Sequence, residues 1–123
     1  MVIRVHIACD DKTYRDTIAA LLDDDENISV VEKSREAEHG VAAIKEVEPD
    51  VVVLAVPPNE DVQTHTRRYQ TVAGRENAAV VAFCILDRQE AEYKKAGIKK
   101  VVRPSDTGAT LRHEVVEAYR SVK

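Results

Sequence analysis

Two adjacent carboxylates and one arginine are the side chains most able to do chemistry in this sequence. Asp10 and Asp11 follow the predicted strand 2–9, and Arg103 follows the apolar pair 101–102. Carboxylate oxygens are the ligands that Mg²⁺ prefers, and a guanidinium binds carboxylate or phosphate through paired hydrogen bonds. Structural roles compete with these: Asp11 is placed to cap a helix, and we expect Arg103 to neutralise Asp10 or Asp11. Asp10 and Asp11 therefore predict either a weak metal site or an acidic pocket held in one state by an ion pair with Arg103.

The longest apolar run, 51–56, predicts the central strand of the fold. Its residues are mostly β-branched and do not alternate with polar residues, which is typical of a strand buried on both faces of a parallel sheet. Pro49 precedes the run, and Pro57 and Pro58 follow it. Functional groups in α/β proteins lie at the carboxyl ends of such strands. Here that end carries Ala55, whose methyl group is neither a nucleophile nor a ligand.

The rest of the chain alternates between strand and helix patterns. We predict further strands over 2–9, 28–31, 78–86 and 99–102, and helices over about 13–22, 35–47 and 88–96. A third helix is capped within 59–61 and runs to about residue 73, and a last helix is capped at Ser105, Asp106 or Thr107 and runs to about residue 122. Gly74 is interpreted as the end of the third helix. Five strand–helix units joined by right-handed crossovers predict one α/β domain over 1–123 with a doubly wound parallel sheet.

Composition narrows the classes of function. The 123 residues carry a net charge of −4 and contain two cysteines with no metal-binding spacing. No apolar run approaches the ~20 residues of a membrane span, so we expect a cytoplasmic protein that binds neither membrane nor nucleic acid through this domain. Cys84 is interpreted as a small core residue. His65 is expected on an exposed helix face, without a metal role.

In order along the chain, four landmarks together resemble the receiver domain of bacterial two-component response regulators. They are Asp10-Asp11 after the first strand, the segment 49–56, the pair Ala96-Gly97, and Arg103-Pro104 after the fifth strand. The resemblance covers nearly the whole chain. It implies a flavodoxin-like (βα)5 three-layer sandwich with parallel strand order 2-1-3-4-5.

The resemblance also implies a set of phosphorylation-site positions, most of them changed. Asp10 and Asp11 match the two acids that bind Mg²⁺ in a receiver. Ala55 stands where the phosphoacceptor aspartate would be, and Cys84 where a serine or threonine would contact the phosphoryl group. Arg103 replaces the lysine that precedes the proline. Without a carboxylate nucleophile, aspartyl phosphate cannot form at this position.

We therefore interpret the chain as an atypical, phosphorylation-independent receiver domain that acts as a signalling or protein-interaction module. No enzymatic activity and no cofactor are expected, apart from weak or absent Mg²⁺ binding at Asp10 and Asp11. Lys100 falls near the position of the aromatic switch residue. The resemblance implies a protein partner or a homodimer through the face formed by the fourth helix, the fifth strand and the fifth helix.

Two alternatives stay open. One is a flavodoxin-like domain that binds a small ligand such as a flavin or cobalamin, although the loop 9–13 is acidic, without glycine or histidine. The other is the N-terminal pseudo-receiver of a larger regulator or of a pilus-assembly ATPase.

Overall fold

The computed structural model of the chain describes residues 2–34, 48–75, 77–106 and 108–122. These ranges contain five strands and four helices, named here in chain order. They are β1 (Ile3–Ala8), α1 (Lys12–Asp23), β2 (Ile28–Ser34), β3 (Val51–Leu54), α2 (Val62–Arg75), β4 (Ala79–Phe83), α3 (Gln89–Lys95), β5 (Lys100–Val102) and α4 (Gly108–Val122). The helix predicted over 35–47 lies outside the described residues.

All strand pairs are parallel, and the sheet has the order β2-β1-β3-β4-β5. This confirms the flavodoxin-like order 2-1-3-4-5. Ala8 at the end of β1 pairs with Leu54 at the end of β3, which in turn pairs with Ala82 of β4. The carboxyl ends of these three strands therefore meet at one edge of the sheet.

The central segment serves two cores, which explains why it shows no alternation. Val51, Val53 and Ala55 face a core that includes residues of α1 and α4. Val52 and Leu54 face a second core, built with residues of α2 and α3. Both faces of β3 are thus covered by helices, as its continuous apolar sequence predicts.

Several element boundaries differ from the predictions. β2 continues to Ser34 instead of ending at 31, and β3 ends at Leu54 instead of 56. The prediction that Gly74 ends α2 is wrong: the helix continues to Arg75, and the left-handed backbone after it belongs to Asn77, whose φ is 57°. β4 is shorter than predicted and ends at Phe83, so Cys84 follows the strand. In the described parts of the chain, no helix combines the length and apolar character that crossing a membrane requires.

Candidate functional site

The edge where β1 and β3 end brings together the positions singled out from the sequence. Asp10, Ala55 and His65 line a cavity of about 10 Å³ there, together with Cys9 and Tyr69. A space of that size holds roughly one water molecule. The predicted proximity of Asp10 and Ala55 is present, and the space between them is small.

Ala55 is part of the hydrophobic core. Its side chain packs in the core beneath α1 and α4, and only 1% of the residue is exposed. Its amide donates a hydrogen bond of 3.0 Å to the carbonyl of Ala8. The residue joins the ends of β1 and β3 and offers no reactive group.

Asp11 caps the first helix. One carboxylate oxygen accepts hydrogen bonds from the amides of Thr13, at 2.9 Å, and Tyr14, at 3.2 Å. These are among the amides that a helix leaves unpaired in its first turn. Of the two roles considered for Asp11, the structure shows the capping role.

Asp10 lies instead beside Glu60 and His65. Glu60 belongs to the loop between β3 and α2, and the amide of His65 donates to the carbonyl of Asp61 at 3.3 Å, in the first turn of α2. The ligand atoms of the three side chains lie within 4.8 Å of one another. Sequence reasoning missed this cluster because it depends on how the loop folds back over the end of β1.

His65 is more enclosed than the sequence suggested. Its side chain is only 20% exposed, and its Nε2 lies 3.7 Å from Glu60 Oε2. The prediction of an exposed helix position is therefore wrong. The only sequence signal was Glu60 five residues before His65, a spacing too common to indicate a site.

The two carboxyl groups of the cluster influence each other. Burial raises the pKa of Glu60 above its usual range, and a hydrogen bond with the Asp10 carboxyl and the negative charge of Asp10 raise it further. The neighbouring carboxylate therefore makes ionisation of Glu60 less favourable.

Cys84 is buried, and its thiol is unreactive near neutral pH. Its amide donates to the carbonyl of Val102 at 2.8 Å, and the residue is fully buried. Burial raises the pKa of its thiol to about 12, and that of the Cys9 thiol to about 11. Both cysteines are free. Since the thiolate is the reactive form, neither thiol is an effective nucleophile near neutral pH.

Arg103 does not pair with the acids after β1, and that prediction is wrong. Its Nε lies 3.8 Å from Asp106 Oδ2, and the same oxygen accepts the Arg103 amide at 2.9 Å. The Asp106 amide donates back to the carbonyl of Arg103 at 3.0 Å. A tight turn of four residues, 103–106, therefore supplies the partner locally, and the arginine side chain stays 57% exposed.

Two side chains of α3 hold the peptide groups of Val56. The Val56 amide donates to the Tyr93 hydroxyl at 2.9 Å, and its carbonyl accepts from Gln89 Nε2 at 2.8 Å. Gln89 Oε1 also accepts from the amides of Ile85, at 2.8 Å, and Leu86, at 3.2 Å. The loop after β4 and the end of β3 are therefore joined through one glutamine and one tyrosine.

The side chains at this edge do not fit the magnesium site that the receiver resemblance implies. Asp11 uses a carboxylate oxygen as a helix cap, and Ala55 contributes no oxygen from its side chain. Mg²⁺ requires near-octahedral oxygen coordination. Asp10 keeps its carboxylate at this edge, but its neighbours there are Glu60 and His65.

The surface of α3, β5 and α4 carries paired charges. Lys100 Nζ lies 3.8 Å from Glu114 Oε2, and Lys94 Nζ lies 3.3 Å from Glu90 Oε2. Arg112 does not face this surface: its guanidinium donates to the carbonyl of Leu21 in α1 at 2.8 Å. A protein that binds this face would contact both positively and negatively charged side chains.

Comparison with known proteins identifies the fold. No family model matches the chain, and no curated protein is similar to it in sequence. Among solved structures, the receiver domain of the Francisella response regulator 1452 superposes with a TM-score of 0.76 at 19% identity, over 98% of this chain and 99% of that one. A two-component response regulator of the LuxR family from Aurantimonas sp. gives a TM-score of 0.79 at 19% identity, over 98% of this chain and 87% of that one.

A third similar structure comes from a different context. A protein from Burkholderia pseudomallei described as pilus assembly-related superposes with a TM-score of 0.75 at 13% identity, over 97% of this chain and 90% of that one. At such identities the shared property is the fold. Together with the observed strand order, these superpositions show that the chain has the fold of response-regulator receiver domains.

Proposed function

We propose that this receiver-like domain is a signalling module that binds a protein partner without being phosphorylated. The observation that carries the proposal is Ala55, buried at the carboxyl end of the central strand. Transfer of a phosphoryl group to a receiver requires a carboxylate nucleophile at that position, and a methyl group cannot act as one.

The neighbouring groups support the same proposal. The Val56 amide is already bonded to Tyr93, and the Val56 carbonyl to Gln89. The cavity beside Ala55 measures about 10 Å³, roughly the volume of one water molecule. A site whose groups bond to each other in this way favours one conformation over a switch between two.

The proposal extends to metal binding and location. Mg²⁺ binding is weak, since Asp11 is engaged as a cap and the third carboxylate is replaced by Ala55. The domain works in the cytoplasm and has no enzymatic activity of its own.

Incubation with acetyl phosphate and Mg²⁺, followed at once by intact-mass measurement, tests the proposal. We expect no mass increase under conditions that phosphorylate an ordinary receiver domain run in parallel. A stable gain of one phosphoryl group, located by peptide mapping at an acid near the strand ends, would contradict the proposal.

A second candidate context is a larger assembly protein. The superposition on the pilus assembly-related protein from Burkholderia pseudomallei favours it, with a TM-score of 0.75. In that case the domain is the receiver-like part of a longer regulator or of a pilus-assembly ATPase. The full reading frame and its neighbouring genes test this: an ATPase or pilus gene in the same operon supports it, and an isolated signalling operon opposes it.

Small-ligand binding has less support. Ligand pockets measure about 300–1,000 Å³. At the carboxyl edge, where flavodoxin-like domains bind ligands, the cavity beside Ala55 measures about 10 Å³ and the one between the loop after β3 and the start of α3 about 170 Å³. Purified protein with visible flavin or cobalamin absorbance would reverse this ranking.

A further inference from the structure

Three segments of the chain place metal-binding side chains at one point. Asp10 follows β1, Glu60 lies in the loop between β3 and α2, and His65 lies in the first turn of α2. One carboxylate oxygen from each acid and one imidazole nitrogen lie within 4.8 Å of one another. All three residues are partly buried, so the point is sheltered but open to solvent.

The ligand types and their spacing suit a transition metal. Zn²⁺ binds imidazole nitrogen and carboxylate oxygen at about 2.0–2.2 Å, and sites with three protein ligands leave one position for water. Two ligands of such a tetrahedral ion are about 3.3–3.5 Å apart. The distance between Glu60 Oε2 and His65 Nε2 is 3.7 Å, so small side-chain movements would complete the geometry.

Glu60, whose side chain is 32% exposed, provides a further observation. Its Oε2 is a buried atom for which the described parts of the chain supply no hydrogen bond. His65 Nε2 is near this oxygen, but 3.7 Å is too long for a hydrogen bond. Leaving a buried carboxylate oxygen unpaired is unfavourable, and a cation between Glu60, Asp10 and His65 would remove that cost.

We propose that Asp10, Glu60 and His65 form a binding site for one divalent transition-metal ion of the Zn²⁺ class. The two carboxylates balance the charge of the ion, and the imidazole selects it over Mg²⁺, which prefers oxygen ligands. The bound ion ties the loop between β3 and α2 to the end of β1. The site uses neither Asp11 nor Ala55, so it is independent of the proposed function.

Titration of the metal-free protein with Zn²⁺ in a calorimeter tests the site. We expect one ion per chain with micromolar affinity, and no comparable saturation with Mg²⁺. Replacing a ligand should weaken Zn²⁺ binding by at least ~10-fold, as even the residues that support ligands do. The variants are His65→Ala and Glu60→Gln, and circular dichroism confirms that each is folded.

Matched controls separate this site from other zinc-binding groups. His113→Ala removes an exposed histidine on α4, and Glu117→Gln removes a carboxylate from the same helix, on the other side of the sheet. Cys9→Ala removes the nearest thiol, and Asp11→Asn removes the second acid after β1 while keeping a capping oxygen. We expect wild-type affinity in all four.

The spectrum of Co²⁺, added in place of Zn²⁺, gives a second readout. Visible bands of a four- or five-coordinate ion that are lost in Glu60→Gln support the site. If His65→Ala does not fold, Glu60→Gln decides the question. Failure to saturate with Zn²⁺, or equal affinity in the wild type and Glu60→Gln, would overturn the proposal.

Discussion

At the scale of single residues, Tyr93 fixes the backbone that follows Ala55 at the end of β3. It is completely buried in the core between the sheet, α2 and α3, and its hydroxyl accepts the Val56 amide at 2.9 Å. Burial raises the pKa of Tyr93 far above its usual range, so the phenol stays neutral. The hydroxyl is thus a permanent partner for the amide that follows Ala55.

Replacement of Tyr93 by phenylalanine should therefore destabilise the domain. The ring still fills the core, but the Val56 amide is left buried without its partner, at a cost of about 1–3 kcal/mol in the free energy of unfolding. Urea denaturation measures the change. Tyr119→Phe, at a half-buried tyrosine of α4, is the control and should cost less; equal losses would show that the hydroxyl of Tyr93 has no special role.

At the scale of the elements, Arg112 joins α4 to the end of α1. Its guanidinium donates to the carbonyl of Leu21 at 2.8 Å and lies 3.7 Å from the carboxylate of Asp24. The last turn of α1 has no basic side chain of its own. A cation near a helix C-terminus is favourable, and here it comes from a residue 91 positions later in the chain.

Arg112→Ala should lower the free energy of unfolding by about 1–2 kcal/mol, because it removes a charge-assisted hydrogen bond from a partly buried position. Arg120→Ala is the matched control in the same helix. The Arg120 side chain is 68% exposed, and its ion-pair partner among the described residues is Glu117 at 3.3 Å, so its loss should cost about 0–1 kcal/mol. Indistinguishable unfolding curves for the two variants would refute the assignment.

At the scale of the whole molecule, the charged side chains on the proposed partner surface of α3, β5 and α4 form ion pairs with one another. Lys100, near the position of the receiver switch residue, pairs with Glu114 at 3.8 Å. In the proposed function, alanine at position 55 offers no group to phosphorylate, and lysine at position 100 offers no aromatic side chain to respond to phosphorylation. Association through this surface should therefore be constitutive.

Sedimentation velocity at several protein concentrations, with and without acetyl phosphate, measures this association. We expect a homodimer whose population does not change with the phosphodonor. Lys99→Glu, at an exposed residue beside β5, should weaken the dimer, whereas Arg67→Glu on α2 should not. A strict monomer at high concentration would exclude the dimer, and association that strengthens with acetyl phosphate would exclude a constitutive interface.

The strands of the central sheet could be predicted from the sequence because their signal is local. A continuous β-branched run such as 51–56 is stable only when helices cover both of its faces, and a residue at the end of such a run must lie at the sheet edge. Ala55 was therefore placed correctly, and so was Asp10, which follows the neighbouring strand. The order 2-1-3-4-5 followed from the resemblance and is confirmed.

The partners of the polar side chains required the folded chain. Glu60 and His65 lie near Asp10 because of the path of the loop after β3. The hydrophobic periodicity of a sequence predicts strands and helices, but it does not predict the path of a loop. Arg103 pairs with Asp106 because a tight turn places these two residues, three positions apart, next to each other. Strand patterns reflect burial, which neighbouring residues share, whereas a hydrogen bond or ion pair depends on distances of a few ångströms between segments far apart in sequence.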